Sequence, residues 1–130
     1  MKFNILVTEA PYTHQAADTA YQFAKAAIDS GHEVCRVFFY HDGVHNATRL
    51  SSPPVDDRNV IDRWVQLAEN HNVDLAICIA ASLRRGVLSE ESARQSGKTV
   101  TNLDEHFKVA GFGHFIEGAI TTDRTIVFGD

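Results

Sequence analysis

Apolar positions along the chain follow two rhythms. Short runs rich in β-branched and aromatic residues read as strands, and apolar residues three or four apart read as helices. The first run, residues 2–8 ("KFNILVT"), predicts a strand. A helix is expected from near Thr13, whose hydroxyl can cap it, with Ala17, Ala20, Tyr21, Ala24, Ala27 and Ile28 on one face. Gly31 then suits a left-handed C-cap, and residues 33–40 ("EVCRVFFY") predict a second strand. Residues 41–57 lose all periodicity; a short helical turn is expected around Val44–Arg49, ended by Pro53 and Pro54. From about Asp57, the spacing of Val60, Ile61, Trp64, Leu67 and Ala68 predicts a helix with one apolar face. Further strands are expected at 73–79, 107–111 and 124–130, with short helices at 90–95 and over "FGHFIEGAITT".

Strands interleaved with helices imply an α/β fold: a mainly parallel sheet with helices on both faces. In such sheets, ligands gather at the carboxyl ends of the strands. Those ends hold Cys78, the loop Glu9–His14, the stretch after Tyr40, and Gly111–His114. The 130 residues suffice for one domain, 1–130, with a sizeable core. A net charge of −5 argues against direct nucleic-acid binding, which needs a basic surface. No apolar run is long enough to span a bilayer. The N-terminal run meets Glu9 at once and lacks a signal peptide's long apolar region, so a cytoplasmic protein is expected.

The cysteines, Cys35 and Cys78, have no CxxC spacing and read as free thiols in a reducing compartment. Cys35 lies inside a strand, nearer its amino end, and reads as packing. Cys78 ends a strand, before small residues and the adjacent pair Arg84-Arg85. On position alone, a buried core thiol and a reactive one are equally good readings. The spacing of His41 and His45, with Asp42 between, has no third ligand and no HExxH pattern, so no metal is expected. His14, His106 and His114 are candidate site-lining groups. "GFG" at 111–113 lacks the third glycine and the GK[ST] of phosphate loops, so it reads as a tight strand-to-helix turn rather than a flavin or nucleotide site.

Several stretches together resemble the DsrE/TusD family of sulfur-relay proteins. They include "PYTHQAADTAYQFAKAA", "GHEVCRVFFYHDGVHNATRL", "ICIAASLRRGV" and "VAGFGHFIEGAITTDRTIVFGD", and they span nearly the whole chain. The resemblance implies a flavodoxin-like (DsrE-like) three-layer α/β/α domain with a five-stranded sheet, no flavin and no other cofactor. It implies a sulfurtransferase whose cysteine, matching Cys78, carries sulfur as a persulfide from a TusA-like donor to a DsrC/TusE-like acceptor. It further implies two smaller paralogous subunits, DsrF/TusC-like and DsrH/TusB-like, in a dimer of heterotrimers. The pathway implied is tRNA 2-thiouridine synthesis or intracellular sulfur oxidation. Arg84, Arg85, Tyr40, His41 and Gly111 are the candidates for lining or docking, together with the 41–57 loop. The alternative is a non-catalytic structural subunit of the same complex.

Overall fold

In the computed structural model, which describes all of residues 1–130, five strands form one parallel sheet in the order β4-β3-β2-β1-β5. They are β1 (Lys2–Val7), β2 (Glu33–Phe39), β3 (Asp74–Cys78), β4 (Phe107–Ala110) and β5 (Arg124–Phe128). The α-helices are α1 (Ala16–Asp29), α2 (Val60–His71), α3 (Ile79–Arg85), α4 (Glu90–Gln95) and α5 (Phe112–Thr121), and His41–Ala47 form a 3₁₀ helix. No helix is long and apolar enough to cross a membrane.

Adjacent strand residues point to opposite faces, and β2 shows what each face meets. Phe39 packs edge-on against Trp64 of α2, while Phe38 packs against Phe112 and Phe115 of α5. On the Phe39 side, α1 adds Phe23, which contacts Phe3 and Phe128. The chain steps one way across the sheet from β1 to β4, then returns to β5 beyond β1. Right-handed crossovers put a reversed connection on the opposite face, so α5 lies alone there. The interior strand β1 is buried from Phe3 to Val7, as a strand covered on both faces must be. Its polar member, Asn4, sits beneath α5 and donates to the Phe115 carbonyl at 3.3 Å. The helix can come that close because residue 118 is glycine: a Cβ there would lie 2.6 Å from Asn4 Oδ1.

The element boundaries hold to within a few residues, with three differences. Helix α1 starts at Ala16 rather than at Thr13, because Tyr12 takes a left-handed turn (φ 76°) and no side chain caps the helix. Helix α2 starts at Val60, where Asn59 accepts from the Asp62 N–H and supplies the cap. The small residues and arginine pair after Cys78, for which the spacing predicted no element, form α3. Its signal was in the sequence: two arginines in the last turn, then Gly86 in the left-handed C-cap position at φ 69°.

Candidate functional site

Cys78 is the last residue of β3 and the N-cap of α3. Its register partner on β4 is Ala110, and Ala76, two residues earlier, faces Phe38 of β2. Cys78 therefore projects to the face that carries α5. Tyr40 continues β2 one residue past the last paired position, with extended backbone, and Gly111 continues β4 past Ala110. The fold thus brings Cys78, Tyr40 and Gly111 to the same stretch of the sheet's carboxyl edge. The thiol itself is buried. Cys78 is only 5% exposed and belongs to the main hydrophobic cluster. The cavities of about 180 and 560 Å³, lined respectively by Tyr12, His14 and Arg63 and by Arg49, Ser89 and Phe107, do not include it.

Neither arginine hydrogen-bonds the thiol, and Arg85 is engaged elsewhere. Arg85 sits in the last turn of α3, six residues beyond its start, which is about 9 Å along the axis. Its Nε donates to Asp42 at 2.6 Å and its Nη1 to the Ala81 carbonyl. That hydrogen bond is the main reason the Asp42 carboxyl lies below its usual range. Arg84 is exposed on the same turn.

The 41–57 stretch is only partly a surface loop. Within the 3₁₀ helix, Gly43, Val44, Asn46 and Ala47 are buried. Asn46 donates to the carbonyls of Glu9 and Gly43 and accepts from Trp64 Nε1, so it ties the loop after β1, α2 and this segment together. Gly43 lies so near β1 that a Cβ there would collide with the Val7 carbonyl oxygen. His41 is exposed, takes a left-handed conformation (φ 49°) and stacks beside Tyr40. It forms no ligand group with His45; Asp42 is held by Arg85.

Of the other histidines, His14 meets Asp130 through Nδ1 at 2.6 Å and Glu9 through Nε2 at 3.5 Å. These three groups converge within 4.8 Å at the switch point between β1 and β5, two strands away from β3. Both imidazole nitrogens already face carboxylates, an arrangement that needs no ion. His106 hydrogen-bonds Asp104 and faces Glu69, and those bonds raise its pKa against the opposing effect of burial.

His114 belongs to a network that no local pattern announced. Asp74 Oδ2 accepts from Arg36 Nε at 2.7 Å and lies 2.8 Å from His114 Nε2, and its Oδ1 meets Lys108 at 3.2 Å. Arg36 also donates to the His114 carbonyl at 2.5 Å. Burial works to raise the Asp74 carboxyl, but the bonds from Arg36, His114 and Lys108 outweigh it and hold it below its usual range. This network lies under α5, about 13 Å along β3 from Cys78. Its partners come from β2, β3, β4 and α5, so only the assembled sheet brings them together.

Cys35 stands at the other end of the sheet. Phe3 pairs with Val34 and Asn4 with Arg36, leaving Cys35 as the extra residue of a bulge. Burial and neighbouring Glu33 push its thiol up, away from the reactive thiolate form.

Comparison with known proteins adds the remaining observations. Residues 1–128 match the model of the DsrE/DsrF-like family. The chain is 53% identical, over all 130 residues and the full length of both proteins, to the putative sulfurtransferase DsrE of Allochromatium vinosum. It is 45% identical over 128 residues, 98% of each chain, to a sulfurtransferase TusD homolog of Vibrio vulnificus. Among solved structures, the ychN protein of E. coli superposes with a TM-score of 0.78 over 98% of this chain and 99% of that one. At 18% identity, that likeness speaks for the fold.

Proposed function

The chain belongs to the DsrE/DsrF-like family, and from that premise we propose that it is a sulfurtransferase subunit that carries sulfur as a persulfide on Cys78. One observation carries the assignment to this residue. Cys78 is the cysteine at the carboxyl edge of the sheet, in a chain whose full-length relatives are named sulfurtransferases. Cys35 sits at the opposite edge with its thiol pushed up.

The chemistry is two exchanges. The Cys78 thiolate attacks the outer sulfur of a donor persulfide; the donor's S–S bond breaks, the donor leaves as a thiolate, and Cys78 becomes the persulfide. An acceptor thiolate then attacks the outer sulfur on Cys78, and Cys78 returns to the thiolate. Each step makes one S–S bond and breaks one, so no net oxidation occurs and no cofactor takes part. As N-cap, Cys78 precedes backbone N–H groups of α3 that have no helical partner. Ile79 and Leu83, exposed on α3 just beyond it, supply apolar surface for a protein partner. The donor is TusA-like and the acceptor DsrC/TusE-like, within a complex with two smaller paralogous subunits. Either tRNA 2-thiouridine synthesis or sulfur oxidation uses this same step.

The burial of Cys78 favours a second reading, a structural subunit with an inert cysteine. One experiment divides them: incubation with a persulfidated donor, followed by intact mass. Wild type is expected to gain one sulfur atom and Cys78→Ser none. Equal loading of the two, or loading of neither, sinks the sulfur-carrier reading.

A further inference from the structure

A thiol that attacks a donor persulfide must be reached from outside, yet Cys78 is 5% exposed at the very edge of its sheet. The covering element can be identified from connectivity. Phe112 is tied to the end of β4 through Gly111, the residue that follows Ala110. Its ring nevertheless rests on β2, 6.0 Å from Phe38 and 5.2 Å from Tyr40. Strand β3 lies between β4 and β2. Phe112 therefore spans the end of β3 on the face to which Cys78 projects.

The span is built to move at one end and to stay fixed at the other. Phe112 is flanked by Gly111 and Gly113, and a Cβ at either position would meet nothing within 4 Å. Neither has positive φ, so neither space nor conformation demands glycine; what the pair supplies is backbone freedom. The next residue is pinned. His114 lies 2.8 Å from Asp74 through its ring, and its carbonyl accepts from Arg36. Phe112 itself is 42% exposed, so part of its ring already meets water and swinging aside uncovers only the remainder, packed on Phe38, Tyr40 and Phe115.

We propose that Phe112 is a positioning residue covering Cys78, and that Gly111–Gly113 form the hinge on which it swings aside to admit the sulfur donor, with the His114–Asp74 contact as the fixed pin. This rests on Cys78 being the sulfur carrier.

The test measures alkylation of Cys78 by iodoacetamide, by intact mass, in the folded protein with Cys35→Ser as background. Phe112→Ala removes the ring contacts that hold the cover down, and labelling is expected to speed up about tenfold. Phe112→Tyr keeps the ring and the slow rate. Gly113→Ala stiffens the first turn of α5, and labelling is expected to slow about threefold to fivefold. Ile116→Ala removes an equally exposed apolar group (44%) one turn further along α5 and is expected to leave the rate unchanged. Urea unfolding of each variant separates local opening from global destabilisation. An unchanged rate in Phe112→Ala, or an equal rise in Ile116→Ala, overturns the cover; an unchanged or faster rate in Gly113→Ala overturns the hinge. Sulfur loading from a persulfidated donor is read on the same samples. Faster alkylation of Phe112→Ala with no sulfur uptake by any variant leaves the cover standing and removes the sulfur carrier. Uptake on Cys78 with alkylation indifferent to residue 112 does the reverse.

Discussion

Replacing Asp74 with asparagine tests the charged network beneath α5. The change keeps the shape and one acceptor oxygen but removes the charge shared by Arg36, Lys108 and His114. Deleting one partner of a fully buried ion pair costs about 3–5 kcal/mol, because the other charge is left without compensation. Here the side chains of Asp74 and Arg36 are 24% and 15% exposed, so water screens part of that loss. With the retained hydrogen-bond acceptor, the expected cost is about 2–3 kcal/mol. For a chain of this length, with an unfolding entropy of about 2.1 cal/mol/K per residue, Tm is expected to fall by about 7–11 °C. The pH dependence supplies the sharper check. Asp74 has a folded pKa below its unfolded value. Its contribution is fully present above the unfolded value, about pH 3.9, and is lost as pH falls through the folded value. The stability gap between wild type and Asp74→Asn is therefore widest near neutrality and narrows on acidification, which urea titrations across that range measure directly. A gap under about 0.5 kcal/mol at neutral pH, within the range of an ordinary surface substitution, would refute the reasoning. So would a gap that does not narrow in acid.

Other consequences follow from the carboxyl edge and its surroundings. Gly43→Ala forces a methyl group onto the Val7 carbonyl and is expected to cost at least about 2 kcal/mol by urea denaturation, whereas a neutral result means the 3₁₀ helix can shift. Arg85→Ala is expected to change sulfur loading of Cys78 by less than about twofold, because its guanidinium is held by Asp42 at 2.6 Å; a larger loss would place its charge at the thiol after all. His106 is expected to titrate above about 6.5 by NMR, because Asp104 and Glu69 favour its charged form. The stability it adds is then fully present below its unfolded pKa and is lost as pH rises through the higher folded value. A midpoint at or below the ordinary histidine range refutes that pairing.

What the sequence determined by itself is whatever depends on neighbours along the chain. Alternation and helical spacing are local properties, so the strands, the long helices and the α/β class were legible, and so was a cysteine at a strand's carboxyl end. Helix α3 went unread: its arginines and Gly86 mark only where it ends, and its seven residues carry too little periodicity to declare a helix. The tertiary structure decided everything that depends on which strands lie side by side. Proximity in the sequence made Arg84 and Arg85 candidates to line the Cys78 site; in the fold Arg84 is exposed and Asp42 holds Arg85. The non-periodic 41–57 stretch suggested a short helical turn around Val44–Arg49 in a surface loop; the turn is there, at His41–Ala47, but Asn46 and Gly43 bury it against the end of β1 and Trp64. Asp74, Arg36, Lys108 and His114 come from four elements and meet only because β2, β3 and β4 are adjacent under α5. The access of Cys78 is of the same kind. The residue that spans it, Phe112, is 34 positions later in the chain, and no local pattern carries information over that separation.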